Sequence, residues 1–349
     1  MNRQSQSAGN YSTQVQASGD VVVGVTESRA REIAEVAARS VVAQYTDESI
    51  RIVQERITKL DDRVIAALIR EGRLEVFADP GFQRSYTKAQ MGAAVSDKDG
   101  DYDLLAGLLI DRVERGGLRN VRAGIERAIE VIDQIDEEAL RGLTVFQAIQ
   151  GYQPLSPHLE SGLDTLEKLF SDLADGPLPS GNEWLDHLDI LDAIRINHAS
   201  SLKPFREYYP TQMPGYLASG APLGSPRLPF VIDGKPVFGP NLLTLHELRS
   251  GHYRFAVATA GTLKRVVRAE ENVLSELLKQ AESHLGFGEI DSELIDPFID
   301  RLRLRPTLNK IEAWWDQIPQ AVQVTGVGKV LARSNALRLD HRGVLPPVD

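Results

Sequence analysis

The chain has 349 residues, of which 42% are hydrophobic and 25% are charged, as is typical of a soluble globular protein with room for two or three domains. It has no cysteine, which excludes disulfides and thiolate metal sites and fits a reducing cytoplasm. The net charge is −10, and residues 1–200 carry 33 Asp and Glu against 21 Lys and Arg, so an acidic front half argues against nucleic acid as a partner. No run approaches the roughly 18 uninterrupted apolar residues of a membrane span.

A short phrase occurs twice near the start of the chain, as Gln6-Ser7-Ala8-Gly9-Asn10 and Gln16-Ala17-Ser18-Gly19-Asp20. Each copy precedes a strand-like run, and a period of ten residues suits one strand plus one turn. The pattern predicts a β segment over residues 1–25 that needs a partner, most simply a second copy of the chain. The oligomer contacts expected here are Gln6, Gln16, Val21 and Val23. A disordered tail is the alternative, because polar residues and glycine dominate residues 2–20.

The spacing of apolar residues predicts a long amphipathic helix over residues 26–76, and we expect Asp47-Glu48-Ser49 to interrupt it. Its second part has apolar residues at alternating spacings of three and four, which resembles the contact seam of a coiled coil. Packing of the helix on its own domain is the alternative to an oligomer contact. The seam residues proposed as contacts between copies are Ile50, Val53, Ile57, Leu60 and Val64.

The sequence after residue 76 predicts a series of helices. A connector at residues 201–240, rich in proline and glycine, interrupts this series. Inside the connector, Phe230 to Phe238 predicts a small hairpin that turns at Asp233-Gly234. The fold class is therefore mainly α with a short N-terminal β segment. The predicted regions are an acidic helical domain at 77–200, the connector, and a mainly helical domain at 241–349.

Five segments of the sequence stand out together: Asn2-Arg3-Gln4-Ser5-Gln6 with Gly9, Ser12, Gln16-Ala17 and Asp20-Val21, then Glu27 to Glu32, Phe77-Ala78-Asp79-Pro80, Leu105 to Arg112 and Val324-Thr325-Gly326-Val327-Gly328. In these segments the chain resembles an uncharacterised family of bacterial proteins. The resemblance implies a bacterial cytoplasmic protein without a catalytic signature, and its opening motif is similar to that of proteins associated with phage defence.

Metal and nucleotide motifs are incomplete. His246-Glu247 starts a zinc-protease pattern, but Ser250 stands where the second histidine belongs. Gly326-Val327-Gly328-Lys329 resembles the end of a phosphate loop, but Val330 replaces the Ser or Thr that the motif requires. We therefore predict no catalytic residue, no metal site and no cofactor.

Basic residues cluster between Arg249 and Arg268, and arginine can bind phosphate through two hydrogen bonds. If a helix runs through this stretch, Lys264, Arg265 and Arg268 lie on one face and form a possible anion site. A solvated surface of ion pairs with neighbouring glutamates is the alternative. We expect a self-assembling, non-enzymatic interaction or regulatory protein, with a possible protein partner; a phosphate-ligand binder or enzyme using these arginines is the rival.

Overall fold

The computed structural model describes residues 27–232, 234–237 and 242–345. The predicted β segment, with Gln6, Gln16, Val21 and Val23, lies outside these residues. The chain divides into two compact units, residues 1–55 and residues 56–349. The described part is mainly helical with a few short strands, which confirms the predicted fold class at that level. In the described part no helix is both long enough and apolar enough for a bilayer.

Thirteen α-helices lie within the described residues. They are α1 (Glu27–Glu71), α2 (Pro80–Val95), α3 (Asp99–Arg115), α4 (Arg119–Val131), α5 (Glu137–Gly151), α6 (Leu159–Leu173), α7 (Glu183–Ile190), α8 (Phe205–Tyr208), α9 (Ala260–Val266), α10 (Glu271–Leu285), α11 (Ile295–Arg303), α12 (Pro306–Trp315) and α13 (Gly326–Leu339).

The first helix is continuous, so the predicted break at Asp47-Glu48-Ser49 is wrong. Asp, Glu and Ser are tolerated inside a helix, whereas the residues that interrupt one, Gly and Pro, are absent between Glu27 and Glu71. The helix ends at Gly72, whose φ of 65° is the left-handed conformation that closes many helices.

Side chains placed just before helices cap several of them. Asp79 accepts hydrogen bonds from the backbone N–H groups of Gly81 and Phe82 at the start of α2, both at 3.1 Å. Asp136 caps α5 by accepting from Ala139 N–H at 2.9 Å. Thr325 caps α13 by accepting from Gly328 N–H at 3.2 Å.

Seven short strands form three small antiparallel sheets in the described residues. They are β1 (Ile194–Asn197), β2 (Ala221–Pro222), β3 (Phe230–Ile232), β4 (Lys235–Val237), β5 (Leu243–Leu245), β6 (His252–Phe255) and β7 (Ala321–Val324). β1 pairs with β7, β6 lies between β2 and β5, and β3 pairs with β4. The last pair is the predicted hairpin, with Phe230 opposite Val237 and Ile232 opposite Lys235.

The larger hydrophobic core lies among α1 to α7, α11, α12 and α13. The C-terminal helix α13 packs against α3, α4 and α5, so the end of the chain completes a core built mainly from the first half. Gly328 permits the close approach of α13 to the segment before β1, because a Cβ atom there would lie 2.0 Å from the carbonyl oxygen of Ala193. Trp315 is 1% exposed and stacks on Phe146 with ring centroids 5.0 Å apart.

A smaller core lies between the β2–β6–β5 sheet, the hairpin and helices α9 and α10. Phe255 is its centre: its ring meets Phe230 at 5.8 Å and Phe287 at 5.0 Å, both edge to face. The two helices of this core are separate, because α9 ends at Val266 and α10 begins at Glu271.

A buried ion pair joins this smaller core to helix α6. The side chain of Arg254 is fully buried, and its guanidinium donates to both carboxylate oxygens of Glu247 at 2.8 Å. It also donates to the carbonyl oxygen of Pro157, while Glu247 accepts from the N–H of Leu159 at 2.9 Å. The pair therefore connects the β5–β6 region to the start of α6.

The electrostatics of Glu247 follow from two opposing effects. Burial alone would raise its pKa, but the hydrogen bonds and charge of Arg254 and the N–H of Leu159 hold the pKa below its usual value. The contribution of the ionised carboxylate to stability is therefore present above the ordinary glutamate pKa and is lost as pH falls through the lowered value.

We predict that Glu247→Gln lowers the free energy of unfolding by about 3 kcal/mol at neutral pH, because it leaves the Arg254 charge buried without its counter-charge. Urea denaturation measures the change. The difference between wild type and variant should shrink in acid, where the wild-type carboxylate is protonated.

The matched control is Glu293→Gln, since Glu293 also pairs with an arginine, Arg249, but its side chain is 83% exposed. It should change the free energy of unfolding by no more than about 0.5 kcal/mol. Equal effects of the two substitutions would contradict the role given to Glu247.

Candidate functional site

The part of α1 in the first unit exposes every described side chain from Arg31 to Ile52. Six large apolar side chains in this stretch are about half exposed or more, which is unusual for a helix surface. They are Ile33 at 52%, Val36 at 63%, Val41 at 48%, Val42 at 63%, Tyr45 at 66% and Ile50 at 51%.

Four apolar residues of this stretch follow one another at intervals of four. Ile33, Ala37, Val41 and Tyr45 are neighbours on the helix surface, because residues four apart lie one turn above each other. We call these four residues the apolar ridge. Ion pairs of mixed sign lie on the same helix, with Arg29 to Glu32 at 2.7 Å and Arg39 to Glu35 at 3.8 Å.

The seam predicted further along α1 meets two different environments. Leu60 and Val64 are fully buried in the larger core, as is Leu68 one turn later. Ile57 and Val53 are half-buried, and Ile50 is exposed. Side chains with no exposed surface cannot contact a second copy, so the prediction of a contact between copies now depends on the exposed start of the helix.

Arg249, like Arg254, forms hydrogen bonds and ion pairs within its own chain. Arg249 donates to the carbonyl oxygen of Ser219 at 3.1 Å and contacts the carboxylates of Asp291 at 2.8 Å and Glu293 at 3.1 Å. Its charge is therefore neutralised by carboxylates of the same chain.

Three arginines near α11 and α12 are neutralised in the same way. Arg303 binds both oxygens of Glu312, at 2.9 and 2.8 Å. Arg305 contacts Glu160 and Asp164, both at 2.7 Å, and Arg301 pairs with Glu160. These contacts fit the alternative of an ion-paired surface.

The predicted anion site at Lys264, Arg265 and Arg268 lacks the helical spacing on which it depended. Because α9 ends at Val266, Arg268 is not on the same helix face as the other two. Lys264 forms an ion pair with Glu271 at 2.8 Å, and all three side chains are exposed. Binding of an anion by these residues stays a prediction.

His246 has both ring nitrogens occupied by hydrogen bonds to the backbone. Nδ1 accepts from the N–H of Leu248 at 3.2 Å, so Nε2 carries the proton and donates to the carbonyl oxygen of Ala218 at 2.8 Å. Burial holds the pKa of His246 below its usual value, against the opposing effect of that carbonyl. The ring is a neutral structural group with no nitrogen left for a metal.

Sequence reasoning missed the structural role of Arg254, because Glu247 was considered only as part of an incomplete zinc-protease pattern and Arg254 only as part of a basic cluster. A signal was available: the two residues stand on either side of Gly251, whose φ of 74° turns the chain between β5 and β6. A turn of this kind brings the residues on its two sides together.

A family model whose description reads ":-like" matches residues 24–341, which is most of the chain. The description gives no activity, substrate or fold. No curated protein and no solved structure matches the chain.

We predict that Leu60→Ala lowers the free energy of unfolding by about 3 kcal/mol, because it leaves a cavity in the larger core. Ile65→Ala, in the same helix but 40% exposed, should cost less than about 1 kcal/mol. Chemical denaturation measures both. If Leu60→Ala instead left the unfolding free energy unchanged and separated an oligomer, Leu60 would be an interface residue.

Proposed function

We propose that this chain, which belongs to the family matched over residues 24–341, is a self-assembling, non-enzymatic interaction or regulatory protein in which residues 1–55 join the copies. The observation that supports the proposal is the apolar ridge on the exposed part of α1. A second copy is the proposed occupant of this surface.

A helix with exposed side chains gains no stability from packing within its own chain. Most helices in proteins depend on the burial of an apolar face, and isolated helices are marginal in water. Covering the half-exposed Ile33, Val41 and Tyr45 would supply that stabilisation, at about 25 cal/mol for each Å² of apolar surface removed from water.

Two features favour a second copy as the occupant. A second copy carries the same ridge, and a twofold axis places one surface against itself, which is the commonest geometry of homo-oligomers. In the sequence, the ridge also follows the repeat at Gln6 and Gln16, for which a β segment that pairs with a second copy is predicted. The mixed charges beside the ridge do not repel an identical surface.

The biological setting of the proposal rests on the resemblance of the opening motif. On that ground we propose a bacterial cytoplasmic protein that acts in phage defence by assembling, with a protein partner as its target. Two arginines of the basic cluster, Arg249 and Arg254, form ion pairs with carboxylates of the same chain, which supports this role over the rival one.

We predict that the full-length protein has a solution mass well above the 38.5 kDa of one chain. A chain beginning at Glu27 should form an assembly with fewer copies. Light scattering coupled to size exclusion measures both. A monomer in both samples would refute self-assembly.

Substitutions on the ridge test which surface is used. Val41→Glu with Tyr45→Glu should reduce the mass, because charges would have to be desolvated in the contact. Val42→Glu with Thr46→Glu is the matched control, since these residues lie about 100° further round the helix. Loss of assembly in the control alone would place the contact on another face of α1.

A further inference from the structure

Arg112, in the last turn of α3, is a buried cation without a partner. The residue is 9% exposed, and its guanidinium forms no ion pair or hydrogen bond within the described part of the chain. Its Nε is fully enclosed, whereas Nη1 and Nη2 keep some exposed surface. A buried guanidinium without acceptors is costly, so we look for an acceptor that reaches the two Nη atoms from outside.

The guanidinium of Arg112 lies between the first turn of α2 and the loop that leads into α4. Nη2 is 3.1 Å from the position of a Cβ atom on Gly81, and Nη1 is 2.7 Å from the corresponding position on Gly116. These two glycines therefore leave room for the guanidinium. A Cβ atom on the next residue, Gly117, would meet nothing within 4 Å, so open space lies directly before α4.

The N-terminus of α4 has no side-chain cap, because its N-cap residue is Leu118. The first N–H groups of a helix have no acceptor within the helix, and the helix dipole makes this end positive. Such a terminus is a favourable place for an anion. Unused donors of two kinds, the Nη groups of Arg112 and the first N–H groups of α4, thus occur at the same end of these helices.

The charged side chains at this end are mainly basic. Arg84 lies near the start of α2, and Arg119 and Arg122 lie in the first turn of α4. None of the three forms an ion pair with another described residue. Glu126, one turn after Arg122, is the one acidic residue in the first two turns of α4.

One carboxylate, that of Asp79, lies close to Arg112. Its Oδ2 is 3.3 Å from the Cβ position of Gly81, the same point from which Nη2 is 3.1 Å away. Both oxygens of Asp79 already accept from N–H groups of α2, and no ion pair with Arg112 forms. Asp79 therefore opposes an incoming anion without satisfying the guanidinium.

The carboxylates of α3 itself lie on other sides of the helix. Asp111 and Glu114 are about 100° and 160° away from Arg112 round the helix axis. Asp111 is also paired with Arg115 at 3.3 Å.

We propose that Arg112 and the uncapped N-terminus of α4 bind a phosphate group, either inorganic phosphate or the head of a small phosphate ester. A guanidinium pairs with phosphate through two parallel hydrogen bonds, and a tetrahedral oxyanion has further oxygens for the N–H groups of the helix. The proposal is independent of self-assembly, because all its residues lie in the second unit.

The test is isothermal titration of the full-length protein at constant ionic strength with inorganic phosphate, glycerol phosphate and acetate. At least one of the two phosphates should bind saturably with a Kd below about 1 mM, and the tighter one identifies the source of the group. Acetate should bind more weakly. No saturable binding of either phosphate, or equal binding of acetate, would overturn the proposal.

Substitutions of Arg112 locate the site. Arg112→Met should remove phosphate binding, and in phosphate-free buffer its Tm should equal or exceed that of the wild type, because an uncompensated buried charge is gone. Arg112→Lys keeps the charge but not the two-pronged geometry, so it should weaken binding at least about tenfold. A lower Tm of Arg112→Met with unchanged phosphate affinity would show that the chain itself satisfies the guanidinium.

Two substitutions of exposed residues test the surroundings without removing Arg112. Leu118 has φ −82° and ψ 128°, the backbone conformation of a normal N-cap, so Leu118→Asp should cap α4, raise the Tm in phosphate-free buffer and weaken phosphate binding at least about tenfold. Asp79→Asn keeps a capping oxygen but removes the negative charge, so it should strengthen phosphate binding. Unchanged affinity in both variants would refute the site.

Arg265→Gln with Arg268→Gln is the control, since it removes two exposed positive charges from the other candidate anion site. It should leave the phosphate affinity unchanged. Loss of binding in this control, with normal binding by folded Arg112→Met and Arg112→Lys proteins, would move the site to α9 and refute the assignment to α4. Circular dichroism verifies the folding of each variant.

Discussion

The buried pair of Glu247 and Arg254 is the interaction on which the arrangement of residues 56–349 depends. A fully buried guanidinium is tolerated only when its charge and its N–H groups are satisfied, and here Glu247 and the carbonyl oxygens of Pro157 and Phe255 supply the partners. These partners come from the start of α6 and from the β5–β6 region. The smaller core can therefore occupy only the position that completes this network.

The same principle separates arginines that are paired directly with carboxylates from one that is oriented by a neutral group. Ion pairs with carboxylates of the same chain neutralise Arg249, Arg303 and Arg305. The clustering of these arginines in the sequence is therefore not evidence of a binding site. Arg338 is oriented by the side-chain oxygen of Asn335, a neutral group, and its charge acts on the nearby carboxylate of Asp101. Counting arginines in a sequence cannot make this distinction, because it depends on what each guanidinium contacts.

Local signals in the sequence predicted part of the local structure. The hairpin on either side of Asp233-Gly234 depends on neighbouring residues and is predicted from them, whereas the break expected at Asp47-Glu48-Ser49 does not occur. The packing partner of the apolar seam of α1 could not be predicted. An apolar stripe has the same sequence pattern whether it packs in the core of its own chain, as Leu60 and Val64 do, or against another chain. The contact of Asn335 with Thr144 joins residues 191 positions apart, and no local pattern predicts it.

Self-assembly through residues 1–55 requires that a second copy cover the exposed start of α1. Hydrogen–deuterium exchange of residues 31–52, measured over a series of protein concentrations, reports on this contact. Amides of a solvated helix without packing exchange rapidly, whereas those of a helix in an interface are protected by the free energy of association. We expect strong protection of residues 31–52 at high concentration that is lost on dilution, while the core around Leu60 stays protected throughout. Rapid exchange of residues 31–52 at every concentration would contradict it.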